Sequence, residues 1–152
     1  MLSGALCYSP VIMTGKTEIG PGTLEAYCRA DYRIAGQWSL HIDRPCVELL
    51  AWHRYFRVEY SAFLTAFNPR SRLLAIGENL AAHERLRAAL LHSRHPFAEG
   101  SAADPEGAWP DEQGFLVAGM ACGPARALGS RFDQNAVVWS GADAVPRLIL
   151  LR

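Results

Sequence analysis

The chain has 152 residues, half of them hydrophobic and a fifth charged, which suits one domain with a core of useful size and excludes a disordered chain. Fifteen basic and fifteen acidic residues cancel, so no net field draws the protein to nucleic acid or to an anionic membrane. There is no run of about 18 apolar residues for a membrane span. The N-terminal "MLSGALCYSPVIMTGKTE" has no basic leader, and Cys7, Cys28, Cys46 and Cys122 form no C-x-x-C pair. The expectation is a reduced, soluble, cytoplasmic protein without a zinc ribbon or a redox dithiol.

Residues 1–22 read as an N-terminal extension, rich in Gly and Pro and without sustained periodicity. Met13 is an alternative start to Met1. "TGKTE" is no phosphate loop, because the required upstream Gly is replaced by Pro10. The domain is then expected over 23–152. Thr23 suits the cap of a short helix presenting Leu24, Tyr27 and Cys28. "YRIAGQWSLHID" alternates as two short strands around Ala35-Gly36-Gln37. Pro45 suits the first turn of a helix, "PCVELLAWHRYF", with Val47, Leu50 and Trp52 inward. "VEYSAFLTAF" is the clearest strand, ended by Pro69, which has no N–H to offer a ladder.

The spacing predicts a helix over 78–92, with Ala82, Leu86, Ala89 and Leu90 on one stripe, Asn79 on the same stripe, and His83 at its edge. Residues 93–114 read as a long polar connection, a length that in compact domains is often functional. "FLVAGM" reads as a buried strand, Gly123-Pro124 as the opening of a helix, and "NAVVWSG" and "PRLILLR" as two closing strands. This order implies an α+β fold, a single two-layer domain with helices on a mostly antiparallel or mixed sheet.

Three polar clusters interrupt the apolar framework: Asn68, Arg70 and Ser71 after the best strand; Trp109 and Glu112 among the acids of "DPEGAWPDE"; and Gln134-Asn135 before "AVVW". Strand ends are common places for ligand groups. An Arg and a Ser beside a helix start offer an anion seat. A buried Asn79 needs partners, since an unsatisfied buried amide costs about 1–3 kcal/mol; the helix's own free N–H groups are one source. Each cluster also has a plain reading: Asn-Pro as a turn pair, Arg70 as a solvated charge, Trp109 as a plug under a loop. His92 and His95 lack a third ligand, so no metal site is expected. No G-x-S-x-G elbow is present, and Cys122 before a helix start has no base beside it.

The segments "FLTAFNPRS", "ENLAAHERLRAAL", "DPEGAWPDEQGFLVAGM" and "ARALGSRFDQNAVVWSG" resemble, in order, a bacterial family catalogued as domain of unknown function DUF3293. The resemblance covers residues 23–147. It falls on Thr65, Asn68, Pro69, Ser71, Glu78, Asn79, Trp109, Pro110, Glu112, Phe132, Gln134, Asn135 and Ala136. Ala108 and Asp133 stand where the family usually has Gly, which puts a tight turn before Gln134 in question. The family name implies no activity and no cofactor. The residues themselves imply a pocket lined by Asn68, Arg70, Ser71, Asn79, Trp109, Glu112 and Gln134, binding or acting on a small polar or anionic ligand. The competing reading is a protein–protein interaction module in which the same side chains only cap and pin the backbone.

Overall fold

The computed structural model describes residues 17–152. Most of the expected N-terminal extension, with Cys7 and Met13, therefore lies outside the described residues. Thr17 donates its hydroxyl to the Arg152 carbonyl at 2.6 Å, and Ile19 is buried. The first helix, α1, runs Pro21–Arg29 behind Gly20 and carries Cys28, which is disulfide-bonded and not reduced as expected, whereas Cys46 and Cys122 are free thiols. It begins before Thr23 because proline at the first helical position needs no N–H partner and already has a helical φ.

The expected hairpin forms as β1, Asp31–Ile34, and β2, Trp38–Leu40, in antiparallel register Tyr32↔Leu40 and Ile34↔Trp38. Helix α2 runs Val47–Phe56. Its fully buried residues are Leu49 and His53; of the three expected inward, Leu50 and Trp52 pack partly buried against the same core, while Val47 is 76% exposed. Then follow β3, Ser61–Thr65, a one-turn 3₁₀ segment Pro69–Ser71, and α3, Ile76–Ser93. Asn79, Ala82, His83, Leu86 and Leu90 form the buried stripe of α3. His83 is thus a core residue and not a boundary one.

The stretch expected to be a long polar connection instead contains a strand. Phe97–Ala103 is β4, paired antiparallel with β1 on one side and with β5, Glu112–Ala118, on the other. Its small residues hid it: "FAEGSAA" has almost no apolar alternation, and its position in the sheet supplies the order that its composition does not. Helix α4, Cys122–Arg131, and strands β6, Ala136–Ser140, and β7, Pro146–Leu150, complete the chain.

All neighbours are antiparallel in one curled seven-stranded sheet, order β2-β1-β4-β5-β3-β6-β7, so the fold is α+β as expected. Alternation along the central strands divides the interior into two cores. Phe63, Leu116, Val138 and Leu148 pack with residues of α1 and α2, including Leu24 and Leu49. Ala62, Leu64, Phe115, Val117 and Val137 pack with Ala82, Leu86 and Leu90 of α3 and Ala125 of α4. The sheet therefore carries helices on both faces, three layers where two were expected, because successive residues of the central strands are apolar toward both sides. On the first face, Gly100 and Gly114 lie opposite each other across β4 and β5. A Cβ on Gly114 would sit 2.8 Å from the Phe63 ring, and one on Gly100 3.0 Å from it. The two glycines let that ring lie close against the sheet.

Candidate functional site

The register places Tyr32, Ala102 and Glu112 in one row across β1, β4 and β5. Beside this row, between the sheet and α1, lies a cavity of about 270 Å³. Of the seven candidate residues, Asn68, Ser71, Trp109, Glu112 and Gln134 line it, and Arg70 and Asn79 do not. Tyr27, Tyr32, Phe63, Ala102, Val138 and Leu148 supply much of the remaining wall.

The corner after β3 brings these groups together. Asn68, Arg70 and Ser71 all have positive φ, at 45°, 55° and 56°. Such backbone costs on the order of 1–3 kcal/mol per residue and persists where surrounding bonds over-determine it. Here they do. Asn79 Oδ1 accepts from the Asn68 backbone N–H at 2.9 Å, and Asn79 Nδ2 donates to Asn68 Oδ1 at 2.8 Å. The same Asn68 oxygen accepts from Leu74 N–H. Asn79 therefore spends its amide on the corner, not on the free N–H groups of its own helix. This leaves Asn68 Nδ2 to donate to Glu112 Oε2 at 2.7 Å, joined there by Trp109 Nε1 at 3.1 Å. Both bonds end on one carboxylate oxygen, and among the described residues Glu112 Oε1 accepts none.

Burial pushes the Glu112 carboxyl above its ordinary value, opposed by the Asn68 and Trp109 hydrogen bonds that favour the charged form. The Tyr32 phenol is also pushed up, first by burial and then by Tyr27 and Glu112; its O–H donates to the Tyr27 carbonyl at 2.8 Å. A second cluster closes another side of the hollow. The Tyr27 and Ser71 hydroxyls bond each other in a short contact, and Asn135 Nδ2 donates to them at 3.1 and 3.2 Å. Gln134 Nε2 donates to the Phe67 and Phe132 carbonyls.

Arg70 points away from the cavity. Its Nε donates to both oxygens of Asp133 at 2.9 Å, Arg152 Nη2 reaches the same carboxylate at 2.8 Å, and the Arg70 side chain is half exposed. Hydrogen bonds from Arg70 and then Arg152 hold Asp133 below the usual carboxylate range. Asp133 itself has φ 56°, so it adopts the left-handed turn usually made by Gly before Gln134. The loop between β4 and β5 is organised by Asp104, whose carboxylate accepts from the backbone N–H groups of Glu106, Ala108 and Trp109 at 2.9–3.1 Å. Trp109 is thereby placed over Glu112.

Tyr27 and Tyr32 were not singled out as site residues. Each sits on an apolar periodic face, where a ring is read as core; the signal for Asn135 was its pairing with Gln134 at a strand start. Among the described residues, no three His, Cys, Asp or Glu side chains converge as a metal-ligand set, and no helix is long and apolar enough to cross a membrane.

The fold and the site define an α+β protein in which a buried amide and an indole hold one carboxylate beside a hollow. Residues 64–137 match the family model described as "Protein of unknown function (DUF3293)", the family that the sequence resembles. That span holds all seven candidate residues, whereas α1, β1, β2, α2 and β7 lie outside it. No curated protein and no solved structure matches the chain.

Proposed function

We propose that this protein binds a small polar ligand in the cavity beside Glu112. The observation that carries the reading is a cavity of about 270 Å³ beside the half-buried Glu112, whose Oε1 has no protein partner among the described residues. Protein interiors are close-packed, and a hollow lined by apolar side chains with a few polar groups is the usual form of a ligand site. An enzymatic role in the same place rests on Glu112, whose raised pKa suits a proton carrier. Ser71 is a poor nucleophile here, because its hydroxyl is bonded to Tyr27 and Asn135 and no imidazole lines the cavity among the described residues. The competing interaction-module reading draws on the exposed Leu73, Ile76 and Leu80. It leaves the hollow and the free carboxylate oxygen without a use.

Thermal-shift screening of metabolite-sized compounds tests the proposal, with Ala102→Leu as the filled-cavity comparison. Compounds that raise the melting temperature of the wild type and not of Ala102→Leu support it. A library in which every effect is equal in the two proteins overturns it.

A further inference from the structure

The side chains of the cavity wall carry a marked imbalance of charge. Two carboxylates, Asp104 and Glu112, line it, and no Lys, Arg or His does among the described residues. Arg70, the one cation expected there, is held on Asp133 outside the cavity. The amide and indole donors in the wall are aimed at protein acceptors: Asn68 and Trp109 at Glu112, and Gln134 at backbone carbonyls. The wall retains lone pairs on Glu112 Oε1 and on Gln134 Oε1, neither of which accepts a bond among the described residues, and its remaining side-chain donors are hydroxyls: Thr23 and whichever of Tyr27 and Ser71 does not donate to the other. An anion in this space would meet two carboxylates; Asp104 is offset by backbone N–H groups and by Arg29, whereas Glu112 is met by the neutral Asn68 and Trp109 donors. A ligand with N–H donors and positive charge would complete the carboxylate.

The other walls fit the same chemistry. Tyr27, Tyr32, Phe63 and Trp109 are among the lining residues, and aromatic rings attract organic cations. Val138 and Leu148 add apolar surface for the body that bears the charge. We propose that the occupant is a small organic cation, an amine or amidine on an apolar or aromatic body, whose N–H groups donate to Glu112. This deepens the binding proposal above, rests on it, and replaces the anionic alternative of the sequence reading with a cationic ligand.

Three probes of nearly equal shape test it: benzamidine, benzamide and benzoate, differing in charge from +1 to 0 to −1. Binding to the full chain is read at neutral pH by titration calorimetry and by the Trp109 indole N–H resonance. Benzamidine is expected to bind most tightly and benzoate most weakly, with about tenfold or more between them. In Glu112→Gln, which keeps an acceptor for Asn68 and Trp109, the preference for benzamidine over benzamide is expected to collapse. The order in the wild type needs no variant and stands as a test even if Glu112→Gln does not fold. Benzoate binding as well as benzamidine, or a folded Glu112→Gln that keeps the preference, overturns the proposal. So does silence from all three probes. A wider fragment screen on the same indole resonance then separates the two ideas: neutral or anionic fragments that shift it sink only the cation, and no shifting fragment sinks the binding site as well.

Discussion

The two faces of the sheet are built from the same strands and end differently. Toward α3 and α4, Phe115 is fully buried, the His83 ring stacks on it with centroids 4.4 Å apart, and Leu86 and Leu90 are 1% and 0% exposed. Toward α1, the strands present Ala102, Ala136 and Gly114, and the hollow remains. Each face holds a titratable group. His83 is buried among aromatic rings and its Nδ1 has no partner among the described residues, whereas the half-buried Glu112 lines the cavity. The lesson is that burial of a polar group does not mark a site. An unmatched atom with room in front of it does.

This contrast is open to direct challenge, beginning with the largest effect. Leu90→Ala on the packed face is expected to lose about 2–5 kcal/mol, because little can collapse into the gap; denaturant unfolding measures it. Asn79→Ala should cost about 1–3 kcal/mol by stranding the buried Asn68 N–H. If Asn79→Ala is neutral, the corner is not held as described. Enlarging a side chain sharpens the comparison. Ala125→Val, at a position with no exposure, should cost about 1–3 kcal/mol by overpacking. Ala102→Val, which points into the hollow, should cost less than half as much and should weaken ligand binding.

The pH dependence of stability should carry opposite signs on the two faces. The Glu112 folded-state pKa lies above its ordinary 4.5, so its contribution is full below that value and is lost as pH rises through the folded pKa. Burial, followed by Arg87, holds His83 below its ordinary 6.5. Its contribution is therefore present above 6.5 and is lost as pH falls through the lowered value. Unfolding at a series of pH values should show the first loss vanish in Glu112→Gln and the second in His83→Gln. The smallest effect is expected for Arg70→Ala, which removes a half-exposed ion pair with Asp133. Stability should fall by no more than about 1 kcal/mol, and binding to the cavity should not change.

Much of this architecture is legible in the residues, and the failures are instructive. "SAFLTAF" alternates Ala62, Phe63 and Leu64 toward two different cores, so a buried strand was readable before its partners were known. Asn79 on an apolar stripe announced a polar partner inside the protein. Strand β4 was not legible, because its glycine and alanines are small for tertiary reasons: Gly100 and Gly114 leave room for the Phe63 ring. Arg70 was misplaced because a guanidinium beside a turn can swing to either side, and the turn of Asp133 placed its carboxylate on the outer one.

What the amino acids determined alone is local: where apolar period two or 3.6 requires a strand or a helix, where proline stops a ladder, and which amides cannot be buried without company. Only the tertiary structure decided which company. The bond from Asn68 to Glu112 spans 44 positions in the chain and exists because β5 pairs with β3 in one register, with Thr65 against Gly114. A slip of one residue would turn Glu112 to the other face. Periodicity can report that a face is buried, but a carboxylate's surroundings, and so its charge and its use, depend on strands meeting in space.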